Sequence, residues 1–139
     1  MPKQSQKALE SQTAQREDSK RVTFDMLKEK SRVEEEVTIK LGDKELTMLF
    51  RAVGAKEWDR LISKNPPNTE QKSEGHSFNP DTFGPALLAA TSVEPDLTVK
   101  QWSEIWNSDD WSRGEITDIY SEALKLANKG LDIPFTDND

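Results

Sequence analysis

Val37-Thr38-Ile39-Lys40-Leu41-Gly42-Asp43-Lys44-Glu45-Leu46-Thr47-Met48 is the stretch on which the fold class turns. Val37, Ile39 and Leu41 alternate with Thr38 and Lys40, and the alternation resumes with Leu46 and Met48 after Gly42-Asp43. A period of two sends alternate side chains to opposite faces of a strand, and a short turn containing glycine joins two such strands into a hairpin. The turn sets the register. Ile39 is expected opposite Leu46 and Val37 opposite Met48 on one face, with Thr38 opposite Thr47 and Lys40 opposite Glu45 on the other. Continuing outward, Glu35 meets Phe50 and Val33 meets Ala52, so the ladder is expected to fray or bulge near Glu34-Glu35-Glu36. A lone hairpin is marginal in water and must lay its apolar face on other elements.

The remaining chain supplies helices. Ala55 to Lys64 carries Trp58, Leu61 and Ile62 at i, i+3 and i+4, a short amphipathic helix stopped by Asn65-Pro66-Pro67. Residues 68–77 are polar and aperiodic, which reads as a surface loop whose length can vary at little cost. Asn79 then caps a helix with Pro80 at its first position; Phe83, Leu87 and Ala90 form the expected buried stripe, flanked by Leu88. Pro85 predicts a slight irregularity in it, and Val93-Glu94-Pro95 predicts its end. Thr98 and Gln101 make a capping box for a helix that places Trp102 and Trp106 on one face. The strongest helical period follows Ser112 and Glu115: Ile116, Ile119, Tyr120, Ala123, Leu124 and Ala127, closed by Asn128-Lys129-Gly130. The fold class is therefore α+β: an N-terminal β-hairpin followed by about four short helices, mostly helical, with disordered termini.

At 139 residues with 33% hydrophobic content, the chain has material for one domain with tails. The expected organisation is a disordered, charged N-terminal tail over 1–32, a single domain over 33–130 and an acidic C-terminal tail over 131–139. Leu9, Val22, Phe24 and Leu27 are the only large aliphatic or Phe residues of the first 32, too few to offset the entropy of ordering them. Val22, Phe24 and Leu27 read either as a docking motif that folds on a partner or as a loosely packed lead-in. The tail holds 8 Lys and Arg against 5 Asp and Glu, whereas residues 33–139 hold 11 against 21. Such an acidic body repels phosphates, which argues against nucleic acid as a partner. The absence of cysteine excludes disulfides and thiolate chemistry and suits a reducing cytosol. With no signal-like or membrane-spanning run of about 18 apolar residues, a soluble intracellular protein without a membrane partner is expected.

Chemistry is sparse. The single histidine, His76, lies in the polar stretch and reads as solvent-exposed, and one histidine with no cysteine cannot make a zinc site. Asp109, Asp110 and Glu115 lack the alternation and central glycine of a calcium loop and serve more simply as acids at a helix start. There is no glycine-rich phosphate loop. No catalytic constellation or cofactor site is found, so function must come from binding rather than from an enzyme. The aromatic residues supply candidates, since three of the four tryptophans fall between Thr98 and Trp111. Trp102, Trp106 and Trp111 are the partner-binding candidates. Trp102 and Trp106 are expected to hold the last two helices together, leaving Trp111, at the interhelix corner, partly exposed.

Taken together, Val33 to Asn128 resembles the tail assembly chaperones of long-tailed, siphovirus-type phages, especially those of actinobacteria. The resemblance is carried by the order of features: the charged leader, the hairpin running from Glu36 to Arg51, the Ala55 to Ile62 helix closed by Asn65-Pro66-Pro67, and the Trp102 to Trp106 helix. Its most specific part is Phe78-Asn79-Pro80-Asp81-Thr82-Phe83-Gly84-Pro85-Ala86-Leu87-Leu88, followed by Glu94-Pro95-Asp96-Leu97-Thr98. The resemblance implies a non-enzymatic assembly factor of the host bacterial cytoplasm. Its partner would be the tape measure protein, kept soluble until tail tube subunits polymerise around it, with the tube subunits and a frameshifted longer form of the same chain as further partners. A minor tail or head-tail joining protein retained in the virion is the competing expectation, and an acidic inhibitor of a basic host protein is a third.

Overall fold

A computed structural model describes residues 21–131. The chain divides between Ser31 and Arg32 into two units. In the first, Phe24–Lys28 form a single turn of helix, α1, whose start is capped by Thr23: the Met26 N–H donates to Thr23 Oγ1 at 3.3 Å. Val22, Phe24 and Leu27 are all exposed. The segment expected to be a tail without structure therefore has one local helical turn, set by its cap and burying none of its apolar residues. Leu9 and the rest of the N-terminal expectation lie outside the described residues, as does the C-terminal tail beyond Leu131.

The second unit begins with β1 (Glu34–Leu41) and β2 (Lys44–Arg51), paired antiparallel in the register that the turn dictates. Ile39 meets Leu46, Val37 meets Met48, Thr38 meets Thr47, and Lys40 meets Glu45. Gly42 turns the chain at a φ of 63°, a conformation that costs glycine nothing and most residues about 1 kcal/mol or more. The expected fraying at the glutamate run does not occur. Pairing stays regular to Glu34 opposite Arg51, where Arg51 Nη2 lies 2.5 Å from the Glu34 carboxylate, and the Ala52 N–H donates to the Val33 carbonyl at 2.8 Å.

Five helices and one more strand follow: α2 (Ala55–Lys64), α3 (Thr69–Ser73), α4 (Pro80–Thr91), β3 (Ser92–Glu94), α5 (Val99–Trp106) and α6 (Arg113–Ala127). Two of these correct the sequence reading. The polar stretch after Pro67 is not a free loop, because Asn68 and Gln71 close a capping box around α3, with bonds of 2.8 and 2.9 Å. Gln71 is buried and its amide also donates to Asn79 Oδ1 at 3.1 Å, while the Asn79 N–H donates to the Asn65 carbonyl at 2.8 Å. The connector is thus tied at both ends to the cap of α4, and its length is constrained. The second correction is β3. The chain leaves α4 directly into a third strand, pairing Ser92 with Phe50 and Glu94 with Leu49 across an irregularity in β2. The sheet order is β1-β2-β3, which puts β1 on one edge.

α4 is the hub of the helical layer. Phe83, Gly84, Pro85, Ala86, Leu87 and Leu88 are all buried; of the expected stripe, Phe83 and Leu87 are buried but Ala90 is only half-buried, because the burial runs round the helix and not along one stripe. Pro85 is accommodated inside the helix and does not end it. Buried on nearly every side, α4 is the central helix of a small core, which explains its near-continuous apolar sequence. Met48 and Phe50 from β2, Val53 from the link to α2, Leu61 from α2, Trp102 from α5, and Ile119, Ala123 and Leu126 from α6 complete the core. Among the described residues no buried side-chain nitrogen or oxygen lacks a partner, and no helix is long and apolar enough to cross a membrane.

Candidate functional site

The three tryptophans of the Thr98 to Trp111 stretch fall into different environments. The capping box of Thr98 and Gln101, with bonds of 3.1 and 2.9 Å, starts α5 and fixes which face it turns inward. Trp102 is then 2% exposed, and its indole N–H donates to Ser92 Oγ at 3.1 Å. That bond satisfies the one polar atom of a buried ring and ties α5 to β3. Trp102 belongs to the core and has no surface to offer a partner.

Trp106 is half-buried between three helices. Its ring lies against Gly84 of α4 and meets Tyr120 of α6 edge to face, with centroids 5.6 Å apart at 78°. Burial raises the Tyr120 hydroxyl above its ordinary pKa, because the neutral phenol is better tolerated out of water than the phenolate. The consequence for stability has a definite sign. An acid whose folded pKa is raised contributes stability that is fully present below the unfolded value, near 10, and is lost as pH rises through the folded value. Tyr120 is the only tyrosine in the chain, so the rise of tyrosinate absorbance reports it alone. The native protein should titrate at higher pH than the same chain unfolded in denaturant; coincident curves would count against the packing of this ring.

Trp111 lies in the corner between α5 and α6. Ser108 Oγ accepts the Asp110 N–H at 3.1 Å, and Ser112 and Glu115 close a second capping box at 3.1 and 2.8 Å. These bonds bracket Trp111 on both sides, so a loop residue acquires a fixed direction. Trp111 is the one residue that lines both of two depressions. The smaller, about 230 Å³, lies between the end of α5 and the start of α6, with Trp106, Arg113 and Ile116 in its wall.

The larger depression, about 600 Å³, is a groove between β1 and α6. Residues 37–41, Lys40 among them, supply one wall, and Trp111, Ile119 and Ser121 line the helix side together with Glu115, Asp118 and Glu122. Lys125 Nζ lies 3.5 Å from Glu122, so that cation is already engaged with an acid. The result is a groove with five apolar side chains among Thr38, Ser121, three carboxylates and two lysines, Lys40 and Lys125. Such a groove suits the apolar face of an extended or helical segment carrying basic flanks. A third depression, of about 610 Å³ at the start of α2, is lined by Arg32, Lys56, Glu57 and Arg60 and contains no aromatic side chain.

Sequence reasoning located Trp111 at this corner but not the wall opposite it, because β1 meets α6 only through the tertiary fold. His76 is exposed, and among the described residues no three His, Asp or Glu side chains converge in a way that would hold a metal ion. No protein-family model, no curated protein and no solved structure matches this chain.

Proposed function

We propose that the protein is a phage tail assembly chaperone that holds segments of the tape measure protein in the groove between β1 and α6. The observation that carries the reading is the groove itself: a depression of mixed lining in which Val37, Ile39, Leu41, Trp111 and Ile119 form an apolar floor among charged and polar side chains, on a body rich in carboxylates. A long helical protein must be shielded along its apolar faces before its tube forms. A client-binding trough on an acidic carrier does this while charge repulsion keeps loaded complexes apart. The resemblance of Val33 to Asn128 to tail assembly chaperones supplies the identity of the client.

Trp111 is the expected anchor, and Trp102 and Trp106 support it from the core and the helix junction. Co-expression with the cognate tape measure protein should raise the soluble yield of that protein severalfold. A Trp111→Ser variant with an unchanged melting temperature should lose most of the gain, and its affinity for a tape measure fragment should fall about thirtyfold, the scale of a central aromatic anchor. An unchanged yield with the wild-type chain would sink the proposal. Mass spectrometry of purified particles separates it from a structural tail protein, since a chaperone should be scarce in the finished virion.

A further inference from the structure

The free edge of the sheet carries a pattern of its own. The Ala52 N–H bonds to the Val33 carbonyl, and bonded and non-bonded pairs alternate along an antiparallel ladder. The odd-numbered residues of β1 therefore turn their backbone groups toward β2, and Glu34, Glu36, Thr38 and Lys40 turn theirs outward. Among the described residues no strand pairs with this edge. It is eight residues long, contains no proline, and its side chains Glu36, Thr38 and Lys40 are exposed. An edge of this length usually meets a partner or is blocked by charge.

We propose that a second copy of the chain pairs with this edge, antiparallel about a two-fold axis through Thr38, giving a continuous six-stranded sheet. A two-fold operator on Thr38 sets Glu36 opposite Lys40 of the second copy and Lys40 opposite its Glu36, so the edge is complementary to itself. The same operator sets Val37 opposite Ile39 on the inner face, joining the β1 walls of the two grooves. At the even positions, Glu36 with Lys40 and Thr38 with Thr38, both partner residues have outward backbone groups, as the ladder requires. Moving the axis by one residue to Val37 satisfies the backbone equally but pairs the side chains less well. Lys40 would then face Glu34, whose carboxylate already holds Arg51 at 2.5 Å, and Ile39 would face Glu35. Among the described residues neither Glu36 nor Lys40 makes an ion pair within 4.0 Å, although Lys40 stands cross-strand from Glu45. The inference needs no client, although its seam shares Val37 to Lys40 with the groove wall.

Sedimentation velocity of the full chain across a concentration series tests it without any client. The wild type should show a reversible monomer–dimer equilibrium. Lys40→Glu and Glu36→Lys each place like charges at both cross-strand positions and should weaken self-association at least tenfold, with far-UV circular dichroism confirming that the hairpin is intact. An equimolar mixture of the two variants should recover a heterodimer, and E36K/K40E in one chain should recover the homodimer. A wild type that stays monomeric, a dimer indifferent to Lys40→Glu, or a mixture that fails to associate would each overturn the proposal.

Discussion

Phe83→Ala is expected to lower unfolding stability by about 3–5 kcal/mol, the range for truncating a buried aromatic side chain. Phe83 has no exposed surface and sits where α4 meets α2 and the chain entering α4. Trp58 meets its ring edge to face at 5.3 Å and 80°, and Phe78 lies at 4.5 Å, tilted by 43°. Removing the ring leaves a hole bounded by Trp58 of α2 and Phe78 of the connector, and the connector is held by Asn79, whose N–H donates to the Asn65 carbonyl and whose Oδ1 accepts from Gln71, so collapse into the space is limited. The pair contacts themselves add about 0.5–1.5 kcal/mol each beyond burial. Domains of this size have total stabilities of about 5–15 kcal/mol, so the variant should lose a large part of its margin and melt on the order of 20 °C lower. Chemical denaturation monitored by tryptophan fluorescence measures the change. A loss under about 1 kcal/mol would show that this cluster is not the centre of the core.

Gly84→Ala is the second large effect, and its sign is the informative part. In an exposed helix interior this substitution stabilises by up to about 1 kcal/mol. Here a Cβ on Gly84 would stand 2.6 Å from both Cζ2 and Cζ3 of Trp106. The ring cannot easily withdraw, because Tyr120 meets it from α6. Either α5 shifts away from α4 or the ring takes a strained rotamer, and overpacking of this kind costs about 1–3 kcal/mol. The net expectation is a destabilisation of about 1–2 kcal/mol despite the better helix former. Gly114→Ala provides the contrast: its added Cβ meets nothing nearer than Ser112 Oγ at 3.9 Å, so that change should be neutral or mildly stabilising. If close packing against Trp106 is the cause, Gly84→Ala combined with Trp106→Ala should cost less than the two single changes added together. Equal and favourable effects of the two alanines would refute the contact.

How much of this was legible beforehand depended on the distance over which each feature is determined. The hairpin register was readable because turn and alternation both lie within a few residues. The capping boxes at Thr98 and Ser112, and the Asn79 cap with Pro80 behind it, were readable for the same reason. Asn68 and Gln71 had the same spacing, but α3 has no apolar stripe, so its one visible signal was the cap itself. The error at Glu34 had a different origin. Three adjacent carboxylates suggest fraying until Arg51, on the neighbouring strand, is seen to hold the first of them. β3 was missed because three residues have no period, and only pairing with β2 makes them a strand.

For the candidate site, the sequence alone determined that Trp111 stands at a helix corner between two capped segments. It also determined the α+β class, since local periods of two and of three to four residues reflect backbone geometry that tertiary contacts seldom reverse. The tertiary structure alone decided which tryptophan is sequestered, why a glycine stands in the middle of the central helix, and which strand forms the far wall of the groove. Each of these is a contact between residues far apart in the chain. Its energy comes from shape and burial in three dimensions, to which the order of neighbouring residues is nearly blind.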